Sequence, residues 1–580
     1  MPGTDRRHPH GRRAGAPHRR RCRGGARPAR RPGRRTGLRP VPGRSDGPPK
    51  DVHVTGRSGA RGPVRSPAAH RGARRRIMAT SVASALHWWA RRKPDQQVVV
   101  GDDAVTYRQL QDWSGRLARR LVGEGVSPGD RIGLMSANSV EWVVTAWGII
   151  KAGGVLVPLN PRLVASELHK ILGDSGARVV VTAEAHEETL KEVVGLGHDL
   201  TTVPFDEVGR LRTGGTDDFR IDLDPADPVA ILFTSGSTGL SKGVVCTNRT
   251  LLDIVFENSL TDPGMRPGAR TLLLLPLAFT PGLVYGVVIT GVLGGTLVAE
   301  REMKPSRSVQ LIEKHRITVM FGVPLIFQAL AATPEFADAD LSSLDTAIVG
   351  GAAVPVPLLE AYAAKDVVLR QIYGMTEVGG VATATWPEEA ADHPDKCGSG
   401  NVFTEIKVVR HDGTECEPGE NGEILMRGPG VTPGYWQDEE NTAKALRDGW
   451  LHSGDLGNRD EGGRLTFVDR LKDLIITGGI NVSPFELEAV ISQIPGVKEV
   501  SVIAAKDERF GETPAAIVWG EGLDEASIIA ECNRHMADYK VPRYVVVRED
   551  PLPRLPSGKI AKPAIRTEYS DITSTHQKVR

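Results

Sequence analysis

Cysteine is scarce in this chain, and what there is forms no pattern. Cys22, Cys246, Cys397, Cys416 and Cys532 are scattered over 580 residues, with no Cys-x-x-Cys pair and no histidine group at metal-ligand spacing. That speaks against a disulfide framework or a zinc-binding cysteine motif, and fits a reducing, cytosolic compartment. A long uninterrupted apolar run is missing too. Residues 271–299 carry no charge, but Pro276, Pro281, Gly282, Gly286, Gly291, Gly294 and Gly295 break the stretch into short pieces. It reads as strand, loop, buried helix and strand inside an α/β core, with no transmembrane segment. Acids are nearly absent from the first 77 residues, which hold 23 lysines and arginines against Asp5, Asp46 and Asp51. Of the chain's 73 basic and 71 acidic residues this leaves 50 and 68 beyond residue 77, so the near-neutral total hides an acidic body with no nucleic-acid surface.

The first 77 residues are rich in Arg, Pro, Gly and His, with few branched or aromatic side chains to bury. They are expected to be a disordered basic extension. Their Arg-rich, acid-poor composition resembles a basic tail or a transit peptide, but amphipathic spacing is lacking. Met78 is followed at once by globular sequence through Leu86, Trp88 and Trp89, so translation is expected to start there, with residues 1–77 not made.

Beyond that point short apolar strands alternate with amphipathic helices. Val105-Thr106-Tyr107 precedes Leu110, Trp113, Leu117 and Leu121 at helical spacing; Arg131 to Met135, Val155 to Leu159 and Val179 to Val181 read as further strands. The alternation implies an α/β fold with mostly parallel sheets. Val229 to Phe233 is a further buried strand, and it opens into Thr234-Ser235-Gly236-Ser237-Thr238-Gly239 followed by Lys242 and Gly243. Glycines that let amides turn toward an anion, hydroxyls and a lysine are phosphate-cradling chemistry. Five residues separate Gly236 from Lys242 and no glycine directly precedes the lysine, so the spacing is not that of a P-loop NTPase.

Six further motifs follow in order. They are Leu275-Pro276-Leu277, Gly350-Gly351-Ala352, Tyr373-Gly374-Met375-Thr376-Glu377, the Gly449 to Asp455 stretch, Arg470-Leu471-Lys472-Asp473 and Pro556-Ser557-Gly558-Lys559. Taken singly, each has a plain structural reading. Thr376-Glu377 could be a helix N-cap with a first-turn acid, Gly350 to Ala352 a strand-to-helix turn, and Asp455 a turn aspartate. Arg470 could be in an ion pair with Asp469 or Asp473, and Pro556 to Lys559 could be a solvated turn. Together with the Thr234 loop the set resembles the adenylate-forming enzymes, which include acyl-CoA synthetases, luciferases and peptide-synthetase adenylation domains. The likeness runs from about Ser84 to Ala564.

The resemblance implies a large N-terminal AMP-binding domain over residues 78–470, of α/β subdomains plus a small β-structured element. It further implies a hinge at 471–472 about Lys472, a small mobile α+β C-terminal lid over 473–570 and a tail over 571–580. It also implies an ATP-dependent ligase that adenylates a carboxylic acid and passes the acyl group to CoA. The expected ATP and AMP contacts are Thr234, Ser235, Gly236, Ser237, Thr238, Gly239, Lys242, Gly350, Gly351, Ala352, Gln371, Tyr373, Gly374, Asp455 and Arg470. Within that set Gln371 and Tyr373 meet adenine and Asp455 takes the ribose hydroxyls. Thr376 holds a phosphate oxygen, Glu377 binds Mg²⁺, and Lys559 reaches the substrate carboxylate and the α-phosphate. Gly478, Gly479, Phe510, Tyr539 and Arg543 match CoA-binding positions, while Val541 stands where a related ligase has arginine.

No carrier-protein segment follows Lys559, so diffusible CoA is the expected acceptor. An acyl-AMP ligase that loads a carrier in trans, or a non-catalytic nucleotide-binding relative, are the alternatives. In the acyl-pocket loop Phe279 replaces the family's usual histidine and Thr280 follows it. An apolar gate suits a fatty, alicyclic or aromatic acid. The expected partners are that acid and CoA, in a cytoplasmic enzyme, with a homodimer as the assembly considered.

Overall fold

The computed structural model describes residues 80–101, 103–234, 241–352, 354–555 and 559–579. The expectations for residues 1–77, for a start at Met78, for Ser235 to Gly239 and for Pro556 to Gly558 lie outside them. Local sequence dictates the first elements. Strand Ala104–Thr106 runs directly into helix Tyr107–Gly123, where the Thr106 hydroxyl accepts from the Gln109 amide at 3.3 Å. The Gln109 side chain accepts in turn from the Thr106 amide at 2.9 Å, closing a capping box. Leu110, Trp113, Leu117 and Leu121 are buried on one face, as their spacing requires. Helix Val140–Lys151, capped by Ser139, buries every residue but Glu141, and a helix apolar all round belongs between layers.

Two large sheets carry the N-terminal part. A six-stranded sheet runs Thr201–Pro204, Val179–Thr182, Arg131–Met135, Val155–Leu159, Pro228–Thr234, Lys242–Thr247, parallel except for its last pair. An eight-stranded sheet runs Thr383–Ala384, Leu369–Tyr373, Thr346–Gly350, Val319–Gly322, Arg270–Leu273, Thr296–Ala299, Gln97–Val100, Ala104–Thr106, with only its two edge pairs antiparallel. Buried strands of this kind read as unbroken Val, Ile and Leu runs. The uncharged stretch 271–299 falls into strand, loop, helix Pro281–Ile289 and strand as expected, the helix being a wide one with i→i+5 bonds. Among the described residues no helix is long and apolar enough to cross a membrane.

A small antiparallel sheet follows, built from Glu405–Val409, Gly422–Arg427, Leu446–Arg447, Trp450–Arg459 and Leu465–Arg470. Its core of Ile406, Val408, Ile424, Met426, Leu451 and Leu465 also takes in Tyr373 and Val378 from the large sheet's edge. The C-terminal part is an α+β unit. Strands Ile475–Thr477, Ile480–Val482, Val497–Asp507, Gly511–Gly520 and Tyr544–Arg548 are covered by helices Pro484–Ile491, Glu525–His535 and Lys562–Glu568. Thr234, Gly350 and Tyr373 are each the last residue of a parallel strand. That end of an open α/β sheet is where ligands bind, because helix N-termini and loops converge there.

Candidate active site

Thr234 and Lys242 face each other across the antiparallel pair that closes the six-stranded sheet, and the Thr234 hydroxyl donates to the Lys242 carbonyl at 3.4 Å. The Lys242 ammonium lies 4.9 Å over the ring of Tyr435, a cation–π contact. The Tyr435 hydroxyl donates to Glu377 Oε1 at 2.9 Å. Glu377 is buried, and burial pushes its pKa above the usual carboxylate range. Its backbone amide, Tyr435 and the Lys242 charge pull the other way. Thr376 and Glu377 occupy one 3₁₀ turn, Thr376–Val378, preceded by Met375, which makes no side-chain cap, so the N-cap alternative does not form. The Thr376 hydroxyl instead lies 2.8 Å from that of Thr280, joining the phosphate side of the site to the acyl-pocket loop.

A second group assembles around Asp455. Tyr373, buried, donates to Asp455 Oδ2 at 2.8 Å, and its ring stacks on Phe467 with centroids 6.0 Å apart. Arg470 stands directly opposite Asp455 across two strands, its Nε 3.6 Å from Oδ1. Neither Asp469 nor Asp473 is the side-chain partner of Arg470. Asp469 accepts from Ser483, and Asp473 pairs with Arg566 at 3.0 Å. Ser453 accepts from the Asp455 amide at 3.0 Å and donates to the Ile424 carbonyl, which holds the aspartate in place. Burial raises the Asp455 pKa, opposed by Tyr373, Arg470 and Lys472.

Lys559, from the far end of the chain, reaches this group. A methyl built on Gly351 would lie 3.6 Å from both Lys559 Cε and Nζ, and Gly351 holds φ +80°, a backbone that favours glycine. The residue as a whole stays open to solvent, while protein crowds its amine. That crowding, reinforced by Arg470 and opposed by Asp455, lowers the lysine pKa. Lys472 is exposed, and its pKa is lowered by partial burial and by Arg470. Gly374 packs so tightly that a Cβ would sit 1.9 Å from the Gly380 carbonyl. Ala352 is exposed beside Gly351, Gly350 ends its strand against Ile372, and Gln371 donates its amide to the Pro394 carbonyl at 2.7 Å.

Of the CoA-matched positions, Gly478, Gly479, Phe510 and Arg543 form a separate cluster. Gly478 and Gly479, at φ +57° and +82°, make the two-residue turn between Ile475–Thr477 and Ile480–Val482. Gly478 donates to the Phe510 carbonyl at 2.8 Å, and the Phe510 ring lies under the guanidiniums of Arg509 and Arg543, at 4.9 and 4.6 Å. Tyr539 stands 39% exposed on the turn Asp538–Lys540 and makes no ring contact with that cluster among the described residues. Val541 is buried in the C-terminal core. In the acyl-pocket loop Phe279 is half-buried and Thr280 buried.

Sequence reasoning missed Tyr435, Phe467 and Thr432, whose amide donates to the Glu377 carbonyl at 2.8 Å. The available signal was Pro433-Gly434-Tyr435-Trp436, two aromatics held after a turn. Among the described residues no three His, Cys, Asp or Glu side chains gather as a metal cage. A lone buried carboxylate such as Glu377 suits Mg²⁺, which takes few protein ligands and shares the rest with phosphates and water.

Hydroxyls, buried carboxylates and cationic side chains converge at strand ends, an arrangement suited to a phosphate-bearing ligand. Comparison with known proteins narrows that class. Residues 86–436 match the AMP-binding enzyme family and residues 486–559 the AMP-binding enzyme C-terminal domain. A feruloyl-CoA synthase of Amycolatopsis sp is 37% identical over 475 residues, 81% of this chain and 95% of its own. The long-chain-fatty-acid–CoA ligase FadD13 of Mycobacterium tuberculosis is 35% identical over 477 residues, 81% of this chain and 94% of its own. Among solved structures, the anthranilate CoA ligase AuaEII with anthranoyl-AMP superposes with a TM-score of 0.78 at 26% identity, covering 85% of this chain and 97% of its own.

The chain belongs to the AMP-binding, adenylate-forming enzyme family. It is an ATP-dependent acyl-CoA ligase, an acid–thiol ligase that uses a carboxylic acid and CoA.

Proposed function

We propose that one cleft carries both half-reactions on an apolar carboxylic acid. In the first, a carboxylate oxygen attacks the α-phosphorus of ATP, the bond to the bridging oxygen breaks, and pyrophosphate leaves an acyl-adenylate. Such a displacement chiefly needs positioning and charge neutralisation. Lys559 and Thr376 hold the two reacting groups together. Thr234, Ser235, Gly236, Ser237, Thr238, Gly239 and Lys242 hold the departing phosphates. Asp455 and Arg470 hold the ribose, and Gly350, Gly351, Ala352, Gln371, Tyr373 and Gly374 frame the base. Glu377 would hold Mg²⁺, which neutralises phosphate charge when bound. In the second half-reaction the CoA thiolate attacks the acyl carbon and AMP leaves, the thiol proton passing to solvent. For this the unit 473–570 turns about 471–472 and presents Gly478, Gly479, Phe510, Tyr539 and Arg543 to the cleft. CoA as acceptor and unpaired thiols at Cys246, Cys397, Cys416 and Cys532 suit the cytoplasm.

The observation that carries this reading is the side chain of Lys559 lying against Gly351 beside Arg470 and Asp455. Pyrophosphate release on adding ATP, Mg²⁺ and a panel of carboxylic acids tests it, with thioester then followed by mass once CoA is added. Both products are expected from the same acids. Clear ATP binding with no pyrophosphate from any acid would favour a non-catalytic relative. Acyl-adenylate without thioester would favour an acyl-AMP ligase.

A further inference from the structure

Helix Pro484–Ile491, the first of the C-terminal part, starts with one amide that its own cap does not serve. A helix begins with N–H groups that have no partner inside it. Pro484 has no N–H to place, and the Glu486 amide donates to the hydroxyl of the N-cap Ser483 at 3.2 Å. The amide left over is that of Phe485. It donates to Asp469 Oδ2 at 2.9 Å, and Asp469 belongs to strand Leu465–Arg470, on the other side of residues 471–472.

The Ser483 hydroxyl lies 2.7 Å from the same oxygen and 3.0 Å from the Val468 carbonyl, while Asp469 Oδ1 accepts from the Arg470 amide at 2.7 Å. Asp469 is only 4% exposed. The helix dipole favours a carboxylate at this end, and hydrogen bonds to a charged group are the strong ones. Beside it the Phe485 ring meets Phe467 edge to face, with centroids 5.4 Å apart and planes at 88°. Phe467 is the ring that stacks on Tyr373, whose hydroxyl holds Asp455, so this seat backs directly on the group around Asp455.

Resting on the ligase reading above, with its C-terminal unit turning about 471–472, we infer that Asp469 is a positioning residue that holds this unit in the adenylating arrangement. Its carboxylate caps helix Pro484–Ile491 across the hinge, Phe467 seats Phe485, and the unit so held sets Lys559 against Gly351. Residue 469 precedes the hinge while 483 and 485 follow it. A turn that presents Gly478 and Gly479 to the cleft therefore breaks the contacts of Asp469 with Ser483 and Phe485 and parts the two rings. Asp469 favours the first half-reaction over the second, and it acts through Lys559.

The test separates the half-reactions in the full-length enzyme. Pyrophosphate release with ATP, Mg²⁺ and an acid that serves the unaltered enzyme is compared with transfer of supplied acyl-adenylate to CoA, in Asp469→Asn, Asp469→Ala and Phe485→Leu. Both Asp469 variants should lower kcat for pyrophosphate release about tenfold, the scale of one hydrogen bond to a charged group. Phe485→Leu should lower it by a smaller factor in the same direction. Transfer to CoA should stay within about twofold or rise, with the KM for ATP unchanged. A merely structural aspartate would lower both half-reactions together or neither, and either result overturns the inference. A rise in the KM for ATP alone overturns it too, because that would place the effect on Arg470 and the ribose. Should Asp469→Ala not fold, Asp469→Asn keeps the shape of the side chain and answers the same question. No pyrophosphate from the unaltered enzyme with any acid would sink the ligase reading itself, whereas an active enzyme whose variants show no such split refutes the role of Asp469 alone.

Discussion

Tyr435 touches two site residues at once, with its hydroxyl on Glu377 and its ring under Lys242. Removing the hydroxyl alone leaves a buried carboxylate short of a donor, a loss of roughly 1–3 kcal/mol. Tyr435→Phe should therefore raise the Mg²⁺ concentration for half-maximal pyrophosphate release about tenfold, with the KM for the acid unchanged. Mg²⁺ titration at fixed ATP measures it, and an unchanged midpoint would show that Glu377 needs no such support. Tyr373 and Asp455 were each legible as a candidate site residue, but not as partners. Eighty-two positions separate them, and a hydrogen bond over that distance leaves no periodic mark on the sequence.

Helix Val140–Lys151 illustrates the element scale. Its apolar residues predict burial, and Lys151 at its end is buried with them, Nζ 2.8 Å from both the carbonyl and Oε1 of Gln111. Burial pushes the lysine down to about 7 from its ordinary 10.5, against the pull of Asp217 and Asp112. Below about 7 the native protein must hold that charge inside, so the destabilisation is fully present there. Between the two values the unfolded chain keeps a proton that the native one has released, and stability rises with pH. Relative to Lys151→Met, the unaltered protein should gain on the order of 1–3 kcal/mol between about pH 6.5 and pH 9. Urea denaturation of both proteins at the two pH values measures the difference, and parallel pH profiles would place the ammonium outside the core. The strands and helices around it were readable from spacing because one buried face imposes a period. The i→i+5 bonding of Pro281–Ile289 was not, since packing and not period sets it.

The whole molecule brings Lys559 of the C-terminal part to Gly351 of the N-terminal part. If this is the adenylating arrangement, Lys559→Ala should lose pyrophosphate release by at least 100-fold, the scale of one positioned catalytic group. It should keep the transfer of supplied acyl-adenylate to CoA within a few-fold. Equal loss of both would count against a domain that presents different residues in turn. The order of motifs from Thr234 to Lys559, the acidic body and the alternation of strand and helix made the family, the α/β class and the chemistry readable from residues alone. These signals are local, because phosphate-binding turns and buried strands impose residue types and spacings on contiguous stretches. Only the tertiary structure decided that Tyr435 supports Glu377, that Asp455 pairs with Arg470, and that Asp469 accepts from the Phe485 amide. Each is a contact between segments far apart in the chain, determined by how layers pack and not by any neighbour in sequence.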